Sequence, residues 1–332
     1  MTDLLQPIKF YPYYKVKFML LINGERHIFS YPENFNDIHA FGSLATNIEI
    51  NKSEQGILSS LAMRIYNMAA DKRNLLFKEP YYVLKTKDPE KNEGFIKLEL
   101  GYLSYENNQR SITWEGEIIS ASSYKQGDNI ITEINAREGA FLEKNAFIQV
   151  EIKKGETVGK VLERIIPQLI NDARYADEVK RVLAEEADFI DTTKIKTSFD
   201  NDYVFTKDKI INDTFYNTFM TLISYIPNST VSKQEDQYYA TDHVSIGEPE
   251  FIINAESGMQ STPKIYGERI TLTTMFEPAI DIESFVRVES LIEPNINGDY
   301  AVKGYTHSLT LGDGTNASAV TNLNLLMQGL AE

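Results

Sequence analysis

Residues 270–276 (ITLTTMF), 285–290 (FVRVES), 298–311 (GDYAVKGYTHSLTL) and 319–327 (AVTNLNLLM) follow one another with turn residues between them. In the first, Ile270, Leu272, Thr274 and Phe276 share one face. In the second, Phe285, Arg287 and Glu289 alternate with Val286, Val288 and Ser290. A period of two is the signature of half-buried strands. Asn297-Gly298-Asp299 and Gly312-Asp313-Gly314 are turn clusters, because Asn, Asp and Gly tolerate the positive φ of tight hairpins. The pattern predicts an antiparallel β-meander belonging to a small closed barrel.

The other end of the chain carries the same periodicity. Tyr14, Val16, Phe18, Leu20 and Ile22 alternate with Lys15 and Lys17, and Asn23-Gly24 supplies a two-residue hairpin turn. Leu61, Met63 and Ile65 fall on one face of LAMRIYNMA. A strand at 60–67 running into a short turn or helix at 68–76 fits that segment, although Leu, Ala and Met also permit a helix over 57–70. After the charged loop KTKDPEKNEG, Ile96, Leu98, Leu100 and Tyr102 alternate with Lys97 and Glu99, and Ile112, Trp114, Gly116 and Ile118 continue the pattern. Residues 10–138 therefore read as one β-barrel or sandwich of about seven strands.

Composition changes after Gly139. Val158, Leu162, Ile165 and Leu169 stand at helical spacing, with Thr157 as N-cap and Pro167 expected to end or kink the helix. DEVKRVLAEEADF continues as a second helix. DKIINDTFYNTFMTLISYI is a third, with Ile211, Phe215, Phe219, Leu222 and Ile226 as its apolar stripe. An α+β domain is thus expected over roughly 140–240. An internal echo links the flanking β regions: 118–136 (IISASSYKQGDNIITEINA) and the segment from Val302 to Leu326 each read strand, Gly-Asp turn, strand. Thr132 and Thr321 sit among alternating apolar residues of the second strands. Two copies of one barrel flanking a helical insert would produce this.

The 332 residues exceed one typical core, and 42% apolar content with 19 Tyr and 17 Phe suits globular, β-rich domains. A net charge of −15 opposes a grip on nucleic acid or adhesion to an anionic membrane. It suits solubility, or a surface from which DNA slides off. With no cysteine, disulfide scaffolds, thiolate zinc sites and cysteine nucleophiles are excluded. No apolar run approaches the roughly 18 residues of a membrane span. MTDLLQPIKFYPYY lacks a basic then apolar leader, so no signal peptide is expected, and the triplets at Asn212, Asn228 and Asn316 are expected to match the glycosylation pattern by chance.

No motif commits the chain to a reaction. The histidines, His27, His39, His243 and His307, lack ligand spacing, and HExxH is absent. His307 lies near Ser308 and Asp313, but triad partners are seldom sequence neighbours and no GxSxG elbow is present. Glu115 and Glu117 point to the same strand face, as solvated carboxylates do without catalysis. Lys153-Lys154-Gly155-Glu156-Thr157 is no P-loop, and Trp114 reads as core or an interface anchor. The expectation is no catalytic, cofactor-binding or metal-binding residues and no cofactor.

The order of segments resembles a known family. LAMRIYNMA, with its strand ending in Tyr66-Asn67, is similar to the N-terminal motif of baseplate hub proteins of contractile phage tails, the late control protein D-like hubs. These are related to the N-terminal part of type VI secretion spike proteins. TWEGEIISASSYKQGDNIITEINAREG resembles the next block, through Gly116, the Gly-Asp turn and Glu138-Gly139. FIINAESGMQSTPKIYGERITLTTMFEPAIDIESFVRVES resembles a later one, with Gly258, Pro263 and Pro278. NGDYAVKGYTHSLTLGD resembles the closing pattern of Tyr300, Val302, His307 and Gly312-Asp313. Glu283-Ser284 replaces the family's usual glycine, and the helical run at 158–190 looks larger than in compact members.

The resemblance implies a mainly β fold with an α+β insert: two tube-protein-like antiparallel β-barrels, at 1–138 and 241–332, flanking a helix-containing middle domain at 139–240. It implies a structural baseplate hub in the virion tail, assembled in the host cytoplasm, with no enzymatic activity. As a homotrimer with six barrels, it would adapt the hexameric tail tube to the trimeric spike. Implied partners are the tail tube or tube initiator protein, the central spike protein, the tape measure protein and baseplate wedge proteins. DNA would pass through a central conduit, lined by the acidic excess, without sequence-specific binding. The other classes weighed are a tail-associated cell-wall hydrolase and a glycan- or peptidoglycan-binding module, the latter because GETVGKVLERI faintly resembles a LysM-type opening.

Overall fold

The structure, a computed structural model, describes residues 11–22, 25–37, 39–53, 59–77, 92–102, 111–138, 147–170, 194–227, 229–234, 237–241, 248–267, 269–282, 284–312 and 317–327. Alternating sequence becomes strand from the start: β1 (Pro12–Ile22), β2 (Glu25–Tyr31), β3 (Thr46–Ser53) and β4 (Ser60–Tyr66) precede a short helix, α1 (Ala70–Phe77). Then come β5 (Asn92–Tyr102), β6 (Ser111–Gln126) and β7 (Asn129–Arg137). Next are β8 (Phe147–Ile152), α2 (Val158–Ile170), β9 (Lys194–Ser198), β10 (Lys209–Thr214), α3 (Phe215–Ile223), β11 (Thr230–Gln234) and β12 (Gln237–Thr241). The chain closes with β13 (Phe251–Ile253), β14 (Lys264–Tyr266), β15 (Arg269–Met275), β16 (Phe285–Val288), β17 (Gly298–Leu311) and β18 (Ser318–Met327). Among the described residues strand exceeds helix, 57% against 11%, so the fold is mainly β.

The chain falls into two units. One comprises Met1–Ser53, Ser59–Glu138 and Ser245–Glu332; the second comprises Glu54–Leu58 and Gly139–Val244. In the first, one sheet runs in the order β14-β15-β18-β17-β3-β4-β7-β6-β5-β1-β2, with β16 also on β17 and β13 beside β16. Every pair along it is antiparallel except β13 with β16. Both terminal β regions thus contribute to a single sheet. The alternation decides which face is dry: Val16, Phe18 and Leu20 on β1 and Ile96, Leu98 and Leu100 on β5 are fully buried in one hydrophobic core. Burying such a side chain contributes about 1.5–3 kcal/mol relative to exposure.

The C-terminal strands are not a simple meander. β15 pairs with β18, and β16 lies on the far side of β17. Period-two patterning sets a strand's faces but not its neighbour. The crossing is made by residues 276–282, whose Phe276, Ile280 and Ile282 enter the same core. Burying those three side chains holds the connection beneath the sheet rather than in a hairpin.

The second unit joins the antiparallel pair β8–β10 and the three-stranded sheet β11-β12-β9 to two helices. Val158, Leu162 and Ile165 of α2 and Phe219, Leu222 and Ile226 at α3 meet Val150 and Ile152 in its core. Thr157 accepts from the Lys160 amide at 3.4 Å, as an N-cap does. Two expectations change here. The helix runs through Pro167 to Ile170, carried by its buried face. The third helix begins only at Phe215: residues 209–214 are strand, pairing residue for residue with β8, and Thr214 caps the helix by accepting from Asn217 N at 3.3 Å. The expected helix DEVKRVLAEEADF, at 177–189, lies outside the described residues. Among the described residues no helix is long and apolar enough to cross a membrane.

Gly116 illustrates how tightly the first core is filled. A Cβ there would stand 2.5 Å from a ring carbon of Trp114 and 2.9 Å from the Arg137 carbonyl. Gly116→Ala is expected to cost roughly 1–3 kcal/mol, the usual penalty of overpacking. A urea-unfolding midpoint equal to the parent's would contradict this packing account.

Candidate functional site

The strand that joins the two β regions is β17, and it does so by having two partners on one edge. Residues 298–301 pair with β16, residues 304–311 pair with β3, and β18 runs along the opposite edge. A bulge at Lys303, between Val302 and Gly304, separates the two halves. An extra residue inverts the phase of the alternation. Tyr300 and Val302 face the core before it, and Tyr305, His307, Leu309 and Leu311 after it.

Beneath this seam lies a polar cluster, buried at Lys52, Tyr305, His307 and Thr321 and half-exposed at Asp281. Lys52 Nζ donates to both carboxylate oxygens of Asp281, at 2.8 and 3.1 Å. Tyr305 stands opposite Lys52 in the register; burial first, and the Asp281 charge second, hold its hydroxyl well above the usual phenol range. His307 Nδ1 lies 2.9 Å from Thr321 Oγ1, which also accepts from the Glu277 amide at 3.0 Å. Phe276 meets the imidazole edge-on at 5.0 Å. Complete burial, assisted by the Lys52 charge, pushes the His307 pKa down to about 3. The ring is therefore neutral, sealed from solvent, and a structural element of the seam.

The other candidate residues are likewise committed to structure. Ser308 lies on the opposite strand face from His307, and Asp313 lies outside the described residues. Glu115 pairs with Lys97 at 2.7 Å on the polar face. Trp114 is core, and its Nε1 donates to Ser59 Oγ at 2.5 Å. His27 stands on β2, 4.0 Å from a Glu25 oxygen; His39 lies in a turn, its amide donating to Asp37 at 2.9 Å; His243 is outside the described residues. In 153–157, Glu156 accepts from the Lys153 amide at 2.7 Å, and the start of α2 is met by Asp202, which accepts from Gly159 N at 3.1 Å. Among the described residues no group of three or more His, Asp or Glu could hold a metal ion.

What the chain does bring together is a repeated assembly. β3-β4-β7-β6-β5 and β14-β15-β18-β17-β16 have the same strand order and the same sequence of connections. The registers agree residue for residue. Ile65 pairs with Thr132 and Thr274 with Thr321; Thr132 in turn pairs with Ser123, and Thr321 with His307. Ile118 precedes a bulge in β6 as Val302 precedes one in β17. Phe95, Ile96, Lys97 and Leu98 occupy on β6 the places that Phe285, Val286, Arg287 and Val288 occupy on β17. Even the ion pair recurs: Lys97–Glu115 and Arg287–Asp299 both close at 2.7 Å, and the Arg287 hydrogen bond lowers the Asp299 pKa. The likeness ends beyond these strands, where β5 has antiparallel β1 and β16 has parallel β13.

The outward face of this repeated sheet is polar. Asn51, Asn135, Thr306 and Asn322 project from it, Thr273 donates to Asn322 at 2.7 Å, and Arg64 meets Glu133 at 2.5 Å. Large apolar side chains are nevertheless exposed at Ile265 and Tyr266 on β14 and at Leu291 and Ile292 after β16. The sequence alternation gave no sign of these, because each follows or precedes a turn.

Comparison with known proteins gives the class of this chain, a phage tail protein. The baseplate hub gp41 family model matches residues 28–315, and the chain belongs to that family. The fold is similar to the tail protein from Neisseria meningitidis MC58, at TM-score 0.53 and 10% identity, over 95% of this chain and 97% of that one. It is similar to the 43 kDa tail protein of prophage MuSo2 from Shewanella oneidensis, at TM-score 0.51 and 10% identity, over 94% and 96%. A chain of the Francisella PdpA–VgrG complex matches at TM-score 0.50 and 9% identity, over 97% of this chain and 59% of that one. No curated protein matches the sequence.

The state of His307 carries a pH prediction. Its folded pKa of about 3 lies below the ordinary 6.5, so between these values the unfolded chain binds a proton that the folded chain does not. Stability from this group is fully present above about pH 6.5 and is lost as pH falls toward 3, by about 1.4 kcal/mol per pH unit. His307→Gln removes that titration. Urea unfolding at about pH 7 and about pH 4.5 should show a shallower acid loss in the variant; equal losses would contradict the buried neutral imidazole.

Proposed function

We propose that this baseplate hub protein acts as a trimeric ring, with two tube-like barrels per chain, that matches a sixfold tail tube on one side to a threefold spike on the other. The observation that carries this reading is the internal repeat. A chain containing two copies of one strand arrangement presents, in three copies, six nearly equivalent units around an axis. A single-copy chain would need six subunits and could not meet a threefold partner without mismatch. The likeness to a chain of a VgrG complex supports a spike-type protein as the neighbour on the threefold side. Tail tube or tube initiator, tape measure and wedge proteins are the remaining proposed partners, in the tail baseplate of the virion.

In this reading the polar face of the repeated sheet lines the DNA conduit. Amides and hydroxyls dominate this face, and Arg64 and Lys97 are met by the carboxylates of Glu133 and Glu115, which weakens the cationic track on which binding of a duplex depends. Sliding would follow from this local neutrality together with the net charge of −15, rather than from an acidic lining. The role is architectural, with no bond made or broken.

Native mass measurement of the purified full chain tests the proposal. A species of three times the 37.8 kDa chain mass is expected. A strict monomer, at concentrations where related assemblies form, would overturn the ring.

A further inference from the structure

The internal repeat contains a pairing that is made once and left open once. In the second half, the edge of β17 beyond its bulge is completed by β3, with Thr306 opposite Asn51, His307 opposite Ile50 and Ser308 opposite Glu49. In the first half, the corresponding edge of β6, residues 120–126, has no strand on it among the described residues. The counterpart of β3 is β14, which pairs with β15 on one edge and, among the described residues, with no strand on the other. Among the described residues, one donor strand, β14 at an end of the sheet, and one acceptor edge, the part of β6 beyond its pairing with β5, are therefore left over in each chain.

The exposures agree with an edge awaiting a partner. Ile50 pairs with Leu61 as Ile265 pairs with Ile270, so Ile265 is the counterpart of Ile50. Ile50 is 0% exposed, whereas Ile265 is 57% and the adjacent Tyr266 63% exposed. β14 carries devices by which edge strands stay single, its shortness, Lys264 and the preceding Pro263, yet its other two residues are large, apolar and directed to opposite faces. On the acceptor side Tyr124 is 40% exposed, its hydroxyl donating to Glu133 at 3.3 Å.

We propose that β14 of one copy completes the open edge of β6 in the next copy, antiparallel, in the register that β3 uses on β17. Tyr266 then faces Ser122, Ile265 faces Ser123 and Lys264 faces Tyr124. The occupant is a second copy of this chain because the chain itself holds the template of the joint, down to the residue alignment. Ile265 enters the core beside Ser123 as Ile50 enters beside His307, and Lys264 reaches the polar face near Glu133, where its charge is complementary. Strand addition of this kind gains backbone hydrogen bonds and buries the alternate side chains. Repeated around an axis, it makes every junction in the ring alike, whether within a chain or between chains. This inference rests on the trimeric-ring reading and specifies the contact that builds it.

The chain has no cysteine, so a disulfide can arise only from introduced pairs. Directly opposed residues of antiparallel strands have Cα separations within the range a disulfide spans. The full chain carrying Ser123→Cys and Ile265→Cys, oxidised under native conditions, is expected to convert from a monomer band to covalent dimer and trimer bands on a non-reducing gel. The control pair Tyr124→Cys with Ile265→Cys puts the two thiols on opposite faces and is expected to stay monomeric on the gel. A second variant, Ile265→Asp, is expected to lose the trimer in native mass measurement while keeping the parent's far-ultraviolet circular dichroism spectrum, since the site is exposed in the single chain. If the parent is trimeric but the Ser123/Ile265 pair does not link, or if Ile265→Asp stays trimeric, the joint is elsewhere and the ring reading survives. If the parent is monomeric, both fail.

Discussion

The structure depends on one strand satisfying two neighbours along a single edge. β17 gives its first four residues to β16 and its last eight to β3, and the bulge at Lys303 makes this possible by turning the core face over between the two. Without the extra residue, Tyr305, His307, Leu309 and Leu311 would point to the polar side and the β3 pairing would set polar side chains against the core. The buried polar groups cluster here because the crossing brings charged residues under the sheet. Lys52 and Asp281 pair, and the neutral His307 fills the layer between Phe276 and Tyr305.

A sheet built this way is modular. The same five strands, in the same order and register, occur twice, and the two modules meet through an ordinary antiparallel pairing rather than a specialised linker. Modules joined edge to edge can be joined again between chains by the same hydrogen-bond geometry. The helix-containing unit between them has its own core, centred on Val161, Leu162 and Phe219.

Much of this is legible in the sequence because period-two alternation carries into burial on β3 and β4, although β1 is buried on both faces, Lys15 included. Val16 to Ile22, Leu61 to Ile65 and Ile96 to Leu100 all face the core as read. The echo between 118–136 and the segment starting at Val302 marks true structural counterparts, Ile118 with Val302 and Thr132 with Thr321. What was not legible were partners and registers. Nothing in ITLTTMF says that it lies beside AVTNLNLLM rather than FVRVES, because alternation is a property of one strand and pairing a property of two. Residues 209–214 were read as helix because Ile211 fits a helical stripe as well as a strand; pairing with β8 decides it. The exposed pair Ile265 and Tyr266 has no signal in the sequence, because KIY, between Pro263 and Gly267, is too short to show a period.

The most direct measurement is an electron cryo-microscopy map of the assembled protein, in which the β3–β7 module is superposed on the β14–β18 module of the same chain. The account predicts a rotation of about 60° around the threefold axis with no shift along it, the relation between neighbours in a sixfold ring. A different angle, or a rotation axis that misses the threefold, would contradict it.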